Sequence, residues 1–256
     1  DRIADVISSS VVGYQNKTLK GDAAYNLTVA TFKSVGVDTD KMTLGALGVS
    51  DGWATGSDEI KTLKANGAVD KAYTYIHASD ATDFGCPEGW YLTSDYEDDS
   101  VDLSKVCRND TILPLGNGLL VIVSSASTTL TYSGEVLTED QPIALKGDAA
   151  YNITGNISPT DITLGDISVS SGFATGSDEL KTLKDNGAVD KAYTFIHAAD
   201  AADLGCPAGW YLTKDYEDES VDLSKVCQNA VNVGAGEAFV VMVSQATTTI
   251  TIPSAL

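Results

Sequence analysis

The sequence of 256 residues has no apolar run of the roughly 18 residues that a membrane-spanning helix needs. Its most apolar stretches, "GLLVIVSS" and "AFVVMVSQ", have the length of a strand and end at Ser or Gln. We therefore expect no membrane insertion. Basic residues are also scarce, with 16 Lys and Arg against 36 Asp and Glu and a formal net charge of −20. Because a field of that sign repels phosphate backbones, nucleic acid is not expected as a partner.

The same domain occurs twice in the chain. The segment "LKGDAAYN" at residues 19–26 returns at 145–152, and "ATGSDEIKTLK" from Ala54 returns as "ATGSDELKTLK" from Ala174. Between Ala54 and Cys107, 45 of 54 positions are identical to the residue 120 places further on. Such a tandem duplication predicts two copies of one fold. The predicted divisions are an N-terminal arm of residues 1–10, repeat 1 of residues 11–136 and repeat 2 of residues 137–256.

Each repeat contains two cysteines at the same separation and a single histidine. Neither pair has the CxxC spacing of a metal site, and a zinc site with one histidine would need carboxylates to complete it. We therefore predict a disulfide in each repeat, with a metal site as the alternative. A bond across about 20 residues would contribute roughly 3 kcal/mol and would indicate an oxidising compartment. The predicted pairs are Cys86–Cys107 and Cys206–Cys227.

The local patterns within a repeat are those of β-strands. "DEIKTLK" and "VDKAYTYIHA" flank an Asn-Gly pair, which is the strongest short signal for a hairpin. "TILPLGNGLLVIV" and "TTLTYSG" are predicted to form a second hairpin, with Leu130 and Tyr132 on one face and threonines on the other. "DKMTLGALGV" is a candidate for a short helix, although its glycines disfavour one. Short strands at about ten-residue spacing predict an all-β fold, with a sandwich or barrel-like domain in each repeat.

The matches to catalytic motifs in this sequence lack the surrounding structure that each motif needs. "GVSDG" at residues 48–52 matches the G-x-S-x-G nucleophile motif around Ser50, but a polar loop follows where that motif needs a helix. Repeat 2 reads "SVSSG" around Ser170 and so loses the first glycine. The "GNG" and "GAG" turns lack the third glycine and the helix of a dinucleotide site. We therefore predict that the protein is not an enzyme.

The aromatic residues have both a structural and a functional interpretation. Tyr73, Tyr75 and His77 alternate along one strand and share a face, which forms either a packed sheet surface or a binding strip. His197 lies at the matching place in repeat 2. Replacement of Trp53 by Phe173 in repeat 2 favours packing over recognition at that position. The predicted core anchors beside the disulfides are Trp90 and Trp210.

An acidic segment precedes the second cysteine of each repeat. Its carboxylates could supply the oxygens that a calcium ion requires, although the spacing of an EF-hand is absent. The alternative is a solvated loop, because charge runs usually face water. We assign no metal ligand and no cofactor, and calcium binding stays an alternative. The weak candidate ligands are Asp95, Glu97, Asp98 and Asp99 in repeat 1 and Asp215, Glu217, Asp218 and Glu219 in repeat 2.

The N-terminal arm has apolar residues at Ile3, Val6 and Ile7. At the offset of 126 that relates the two "LKGDAAYN" segments, residues 1–10 fall on the last strand of repeat 1. The arm is therefore predicted to add a strand to the terminal domain of a neighbouring copy. A head-to-tail contact of this kind does not close and generates fibres. The alternative is an arm that folds back on its own domain or frays.

Three motifs mark the ends of the repeats: "VVGYQNKTL" near the start, a glycine-containing turn before an apolar strand ("GNGLLVIV", "GEAFVVMV") and the closing "TLTYSGEV". Together they resemble a class of secreted β-rich proteins from Verrucomicrobia-like bacteria. Proteins of that class begin with a signal peptide and a V-V-G-Y strand, and they finish each domain in a threonine-rich strand that ends G-E-V or G-Q-V. The match covers both ends of repeat 1 and the end of repeat 2. It implies an exported, extracellular protein and transfers no site residues.

These observations predict an extracellular or cell-surface structural protein. It would be the subunit of a head-to-tail filament, pilus-like fibre or surface layer, with itself as partner. The opening "DRIADVISSS", without an initiator Met or a leader, agrees with the mature form of an exported chain. The alternative function is an adhesin or carbohydrate-binding module with a glycan as partner and one site per repeat, made calcium-dependent by the acidic segment.

Overall fold

The computed structural model describes residues 12–22, 24–35, 41–64, 67–125, 128–148, 150–184, 187–201, 204–245 and 248–254. These residues form an all-β protein, as the sequence predicts, with short helical turns between strands. No helix among them is long and apolar enough to cross a membrane. The predicted arm, with Ile3, Val6 and Ile7, lies outside the described residues.

The described part of each repeat contains ten strands that correspond one to one. In repeat 1 they are β1 (Val12–Thr18), β2 (Ala24–Val29), β3 (Lys41–Thr43), β4 (Leu47–Val49), β5 (Glu59–Leu63), β6 (Val69–Ile76), β7 (Gly89–Leu92), β8 (Ile112–Pro114), β9 (Gly118–Val123) and β10 (Thr129–Glu135). In repeat 2 they are β11 (Gln141–Ala144), β12 (Ala150–Gly155), β13 (Ile162–Thr163), β14 (Ser168–Val169), β15 (Glu179–Leu183), β16 (Val189–Ile196), β17 (Gly209–Leu212), β18 (Asn232–Val233), β19 (Ala238–Val243) and β20 (Thr249–Ile252).

The helical elements are single turns. They comprise the α-helices α1 (Thr93–Tyr96) and α2 (Thr213–Glu217) and the 3-10 turns Leu44–Ala46, Leu103–Lys105, Leu164–Asp166 and Leu223–Lys225. The predicted helix in "DKMTLGALGV" is one of these 3-10 turns, Leu44–Ala46, between β3 and β4. Gly45 donates its N–H to the carbonyl oxygen of Asn109 at 2.8 Å, which binds the turn to a distant loop.

Each repeat forms a five-stranded sheet, a three-stranded sheet and a two-stranded ribbon. The orders in repeat 1 are β2-β9-β5-β6-β7, β1-β10-β4 and β3-β8, and those in repeat 2 are β12-β19-β15-β16-β17, β11-β20-β14 and β13-β18. All strand pairs are antiparallel. The first strand of each repeat pairs with its last strand, so each repeat is closed by its own ends.

The Asn-Gly hairpin is confirmed, since β5 and β6 pair with Ile60 opposite Tyr73. Gly67 lies in the turn with φ at +78°, a conformation that glycine adopts without steric cost. Its N–H donates to the carbonyl oxygen of Lys64 at 2.9 Å and closes the turn. The same turn recurs between β15 and β16, where Gly187 has φ at +79°.

The second predicted hairpin is wrong, because β9 and β10 lie in different sheets. β9 pairs with β2 and β5, whereas β10 pairs with β1 and β4. The alternation that we predicted along β10 is nevertheless present, with Leu130 and Tyr132 fully buried and the threonines on the other face. The pattern indicates which face of a strand is buried, and it does not specify the partner strand.

Trp90 and Trp210 are core anchors, as predicted, and both side chains are fully buried. The indole N–H of Trp90 donates to the carbonyl oxygen of Leu47 at 3.0 Å, within the main core of repeat 1. The aromatic residue that packs with the disulfide is the next one along the strand, Tyr91. Since successive residues of a strand point to opposite faces, β7 supplies both the main core and the smaller cluster around Cys86.

The prediction of two tandem sandwich or barrel-like domains is wrong, because the sheets have a propeller-like arrangement and the repeats interlock. Leu27 and Val29 of β2 pack in the core of repeat 2. Between them, Thr28 donates its hydroxyl to the carbonyl oxygen of Gly236 at 3.1 Å and accepts from Tyr132 at 2.7 Å. Apolar and polar groups of repeat 1 are thus buried against repeat 2 at a seam, which we define by β2, β12 and the turns before β9 and β19.

The seam has an approximate two-fold relation. Tyr25 of repeat 1 lies beside Gly187 of repeat 2, and Tyr151 of repeat 2 lies beside Gly67 of repeat 1. These residues correspond to each other in the two repeats. The same surface of each repeat therefore contacts the other, as in an isologous dimer, although here both halves belong to one chain.

One residue breaks this symmetry. Lys17 donates its ammonium group to the carbonyl oxygen of Leu27 in its own repeat, at 3.0 Å, and to that of Gly236 across the seam, at 3.2 Å. In repeat 2 the matching position is Ile143, which packs against Gly116. Burial lowers the pKa of the Lys17 ammonium from 10.5 to about 8, against the opposing effect of the Glu237 carboxylate. The seam therefore contains a cation at a position where an apolar residue also fits.

The protein is expected to become more stable as the pH rises above about 8, the lowered pKa of Lys17. Between that pH and 10.5 the unfolded chain binds a proton that the folded chain does not bind, so the free energy of unfolding increases with pH. From pH 7 to pH 9.5 the gain amounts to about 2 kcal/mol. Urea unfolding at the two pH values measures it.

Substitution Lys17→Ile, which installs the residue of repeat 2, is expected to abolish this gain. The exposed Lys71 provides the matched control, and Lys71→Ile should keep the pH dependence of the unmodified chain. An equal rise of stability in Lys17→Ile and in the unmodified chain would contradict the assignment of the pH dependence to Lys17.

Candidate functional site

Both predicted disulfides are present, Cys86–Cys107 with Cα atoms 5.7 Å apart and Cys206–Cys227 with Cα atoms 5.8 Å apart. Cys86 is buried in a small cluster with Ile76, Ala81 and Tyr91. The hydroxyl of Tyr91 accepts the backbone N–H of Cys86 at 2.8 Å. The disulfide thus fixes the acidic segment to the far face of β7 and positions the loop that follows it.

The acidic residues of this segment mainly bind their own loop. Asp98 accepts the N–H of Ser100 at 2.9 Å and its hydroxyl at 2.6 Å, and these hydrogen bonds lower the pKa of the Asp98 carboxyl. Asp102 forms an ion pair with Lys105 at 2.6 Å and accepts from Ser104. Lys105 first, and then Ser104, lower the pKa of Asp102 to about 2. These carboxylates therefore stabilise turns.

The candidate calcium ligands do not converge in the structure. Asp95 forms an ion pair with Arg108 at 3.0 Å, and Glu97 and Asp99 are exposed. In repeat 2, Asp218 binds Ser220 as Asp98 binds Ser100, while Glu217 and Glu219 are exposed and Asp215 is half-buried. Within the described ranges, no group of three His, Cys, Asp or Glu residues could hold a metal ion. Calcium binding stays a prediction.

The hydroxyl group of Ser50 makes a structural contact. Its hydroxyl oxygen accepts the N–H of Thr129 at 2.9 Å, next to the pairing of β4 with β10. Ser170 accepts the N–H of Thr249 at 3.0 Å in the same way. The hydrogen bond explains why both repeats have serine at this place. The absence of enzymatic activity stays a prediction.

A groove of about 800 Å³ lies in repeat 1 where the chain enters β5 and leaves β6. We call it the His77 groove. Its volume is within the range of ordinary ligand sites. Three stretches of chain form its walls, and the lining residues that matter for its chemistry are Asp51, Trp53, Thr55, His77, Asp80, Glu88 and Tyr96.

His77 is held in place by two contacts at the wall of the groove. Its Nε2 atom lies 3.1 Å from the carbonyl oxygen of Trp53, and because a carbonyl only accepts, Nε2 carries the hydrogen. The ring meets that of Tyr75 edge to face at 5.4 Å. Tyr75 in turn packs against the buried Trp90 at 5.2 Å. The predicted shared face of Tyr75 and His77 is confirmed, and it joins the core to the groove.

Two buried polar atoms of residues that line the groove have no partner within the part of the chain that the structure describes. They are the indole Nε1 of Trp53 and the hydroxyl of Thr55. The Trp53 side chain is only 3 % exposed. In repeat 2 the matching hydroxyl of Thr175 donates to the carbonyl oxygen of Phe195 at 3.0 Å. A buried polar atom without a partner needs an explanation, and a ligand group in the groove would supply one here.

The groove is strongly acidic. Asp51, Asp80 and Glu88 line it, and neither Lys nor Arg is among its described lining residues. Burial, and after it the Glu88 carboxylate, raise the pKa of Tyr75. Glu88 therefore lies close enough to the Tyr75 hydroxyl to influence its ionisation. The local charge attracts cations beyond the general effect of the net charge.

Repeat 2 keeps the framework of the groove and loses some of its polar groups. His197 lies 2.7 Å from the carbonyl oxygen of Phe173, and its ring meets that of Phe195 at 5.2 Å. The positions of Asp51, Trp53, Tyr75, Ser79 and Glu88 are occupied by Ser171, Phe173, Phe195, Ala199 and Ala208. Of the three carboxylates only Asp200 remains. Since repeat 2 folds without these groups, the fold does not require them in repeat 1.

Sequence reasoning identified His77, Tyr75 and Trp53 but missed Asp51, Asp80 and Glu88. These carboxylates come from separate segments and form no motif along the chain. The differences between the repeats are the signal that could have identified Asp51, which is Ser171 in repeat 2, and Glu88, which is Ala208. From Ala54 to Cys107 few positions differ, and Tyr75, Ser79 and Glu88 are among those that do.

Comparison with protein-family models, with curated proteins and with solved structures gave no match for this chain.

Proposed function

We propose that this protein is an extracellular structural protein, the subunit of a head-to-tail filament, pilus-like fibre or surface layer in which the N-terminal arm joins one copy to the next. The observation that carries the proposal is the character of β1, the strand that the arm precedes. β1 is an edge strand of its sheet, and its outward face presents Val12, 63 % exposed, and Tyr14, 75 % exposed. Exposed apolar residues on an edge strand are typical of a place where another chain pairs.

The junction between the repeats supports the same proposal. There, β10 pairs in the sheet of repeat 1 and the chain continues directly into β11, in the sheet of repeat 2. The arm precedes β1 in the sequence as β10 precedes β11. An arm that pairs with another copy would therefore pass from the sheet of one copy to that of the next, as the chain passes from one sheet to another at the junction.

The terminal sheet of repeat 2 limits how the arm binds. β20 already occupies the place that corresponds to β10, between β11 and β14. A donated arm would therefore add at an edge, beside β11 or β14, without replacing the last strand. Strand addition of this kind gains main-chain hydrogen bonds and takes specificity from side chains on alternate positions, here Ile3 and Ile7 or Val6.

The disulfides and the acidic composition support an extracellular location. Each disulfide needs an oxidising environment to form and persist. The net charge of −20 keeps single copies soluble and makes their association dependent on salt. We therefore expect assembly to strengthen as ionic strength rises, since the repulsion between copies is screened.

Removal of residues 1–10 is expected to abolish association. Negative-stain electron microscopy and sedimentation velocity of concentrated protein should show linear assemblies of the full chain and single copies of the truncated chain. Tyr14→Ser should weaken assembly, whereas Val189→Ser, at an exposed apolar residue of repeat 2, should not. A full chain that stays monomeric at every concentration, or assemblies that survive the truncation, would rule out the proposal.

The alternative function, an adhesin or carbohydrate-binding module, has its support in the His77 groove. It does not exclude the first, because a surface filament can also carry a ligand site. The groove favours one site per chain, in repeat 1, in place of one site per repeat.

A further inference from the structure

We infer that the His77 groove binds an amino sugar, a hydroxylated ring that carries a primary ammonium group. The inference is independent of filament assembly, because no residue of β1 is among the described residues that line the groove. It rests on the three carboxylates, on the unpartnered atoms of Trp53 and Thr55, and on the loss of two of the carboxylates and of the indole in repeat 2.

The three carboxylates favour an organic cation as the ligand of the groove. Asp51, Asp80 and Glu88 line one groove, yet in the described chain no three such residues could hold a single metal ion. Carboxylates around a groove of this size suit an organic ligand that carries a positive charge. Tyr96 and Trp53 line the same groove, and aromatic rings attract ammonium groups.

The unpartnered atoms of Trp53 and Thr55 favour a ligand that also carries hydroxyl groups. The indole Nε1 of Trp53 is a donor and needs an acceptor, and an ammonium group has none. A sugar hydroxyl both accepts and donates, so it suits the indole of Trp53 as well as the hydroxyl of Thr55. A simple diamine would satisfy the carboxylates alone, whereas an amino sugar would satisfy both sets of groups.

Repeat 2 provides the internal control. Its groove has one carboxylate in place of three, because Ser171 and Ala208 replace Asp51 and Glu88. Phe173 removes the indole, and the hydroxyl of Thr175 is satisfied within the protein. We therefore expect one binding site per chain. The substitutions Asp51→Ser and Glu88→Ala install the residues of repeat 2, which that repeat shows to be compatible with the fold.

Isothermal titration calorimetry of the full chain tests the inference, at a salt concentration of about 0.15 M, where the Debye length is about 8 Å. The probes are a glucosamine trisaccharide, the N-acetylglucosamine trisaccharide, which has the same ring and no ammonium, and 1,5-diaminopentane, which has ammonium and no hydroxyl. We expect a stoichiometry of one for the glucosamine trisaccharide and at least about tenfold weaker binding of the other two.

The variants locate the site. Asp51→Ser and Glu88→Ala should each weaken binding of the glucosamine trisaccharide about tenfold, while thermal unfolding stays unchanged. Trp53→Phe should weaken it without a change of charge. Glu139→Ala, which removes an exposed carboxylate away from the groove, should have no effect. Equal binding of the N-acetylated probe or of the diamine, two sites per chain, an equal loss in Glu139→Ala, or no binding of any probe would each overturn the inference.

Discussion

Replacement of Asp58 by alanine is expected to lower the free energy of unfolding by about 4 kcal/mol. Asp58 is fully buried, and each of its carboxylate oxygens accepts a backbone N–H, from Ala54 at 2.9 Å and from Ser124 at 2.8 Å. Alanine removes both acceptors and leaves two buried N–H groups without a partner. One side chain thereby joins the loop before β5 to the end of β9.

Asp178 makes the same contacts in repeat 2, with Ala174 and Ser244, both at 2.8 Å. Asp178→Ala should therefore cost as much as Asp58→Ala. Because the cores interlock at the seam, we expect each variant to shift one common unfolding transition. Urea unfolding followed by both fluorescence and circular dichroism measures this, since coincident curves indicate a single transition.

Asp99→Ala is the matched control, because it removes an exposed carboxylate from the same repeat. Its effect should stay within about 0.5 kcal/mol. A loss below about 1 kcal/mol in Asp58→Ala would contradict the role assigned to the buried carboxylate. Two separate transitions would contradict the interlocking of the repeats.

Loss of either disulfide is expected to cost about 3 kcal/mol. Each bond closes a loop with a sequence separation of 21, and its removal increases the conformational entropy of the unfolded chain. The double variants Cys86→Ser with Cys107→Ser, and Cys206→Ser with Cys227→Ser, should show equal losses. Chemical reduction of the unmodified chain should lower its stability by about the sum of the two.

Ser104→Ala tests whether the loop itself, rather than its covalent closure, carries the stability. Its hydroxyl donates to Asp102 on the exposed surface of the loop. We expect a change of less than about 1 kcal/mol. A full chain whose denaturation midpoint does not change on reduction would show that the disulfides do not stabilise the fold.

The local elements were predictable because their signals are local. Alternation of apolar residues identifies the buried face of β10, and the Asn-Gly pair identifies the hairpin of β5 and β6. The partner of β10 was not predictable in this way. It pairs with β1, more than one hundred residues earlier, and nothing between Thr129 and Glu135 records that choice.

The groove was predictable only in part. Tyr75 and His77 are two residues apart in one extended stretch, so alternation alone places them on the same face. Asp51 and Glu88 reach the groove from other loops. Glu88 does so because the pairing of β6 with β7 brings the start of β7 beside the end of β6. When strand pairing brings a carboxylate into a site, the neighbouring residues in the sequence do not predict that the carboxylate belongs to the site.

The sequence by itself determined the duplication, the two disulfide pairs, the all-β character and the faces of the strands, since each depends on identity, spacing or alternation within one segment. Only the tertiary structure decided that the repeats interlock, that Lys17 is buried at their seam and that three carboxylates surround one groove in repeat 1. The physical reason is that these features depend on contacts between segments far apart in the chain. Such contacts are selected by the burial that the whole fold achieves, which no single stretch of residues specifies.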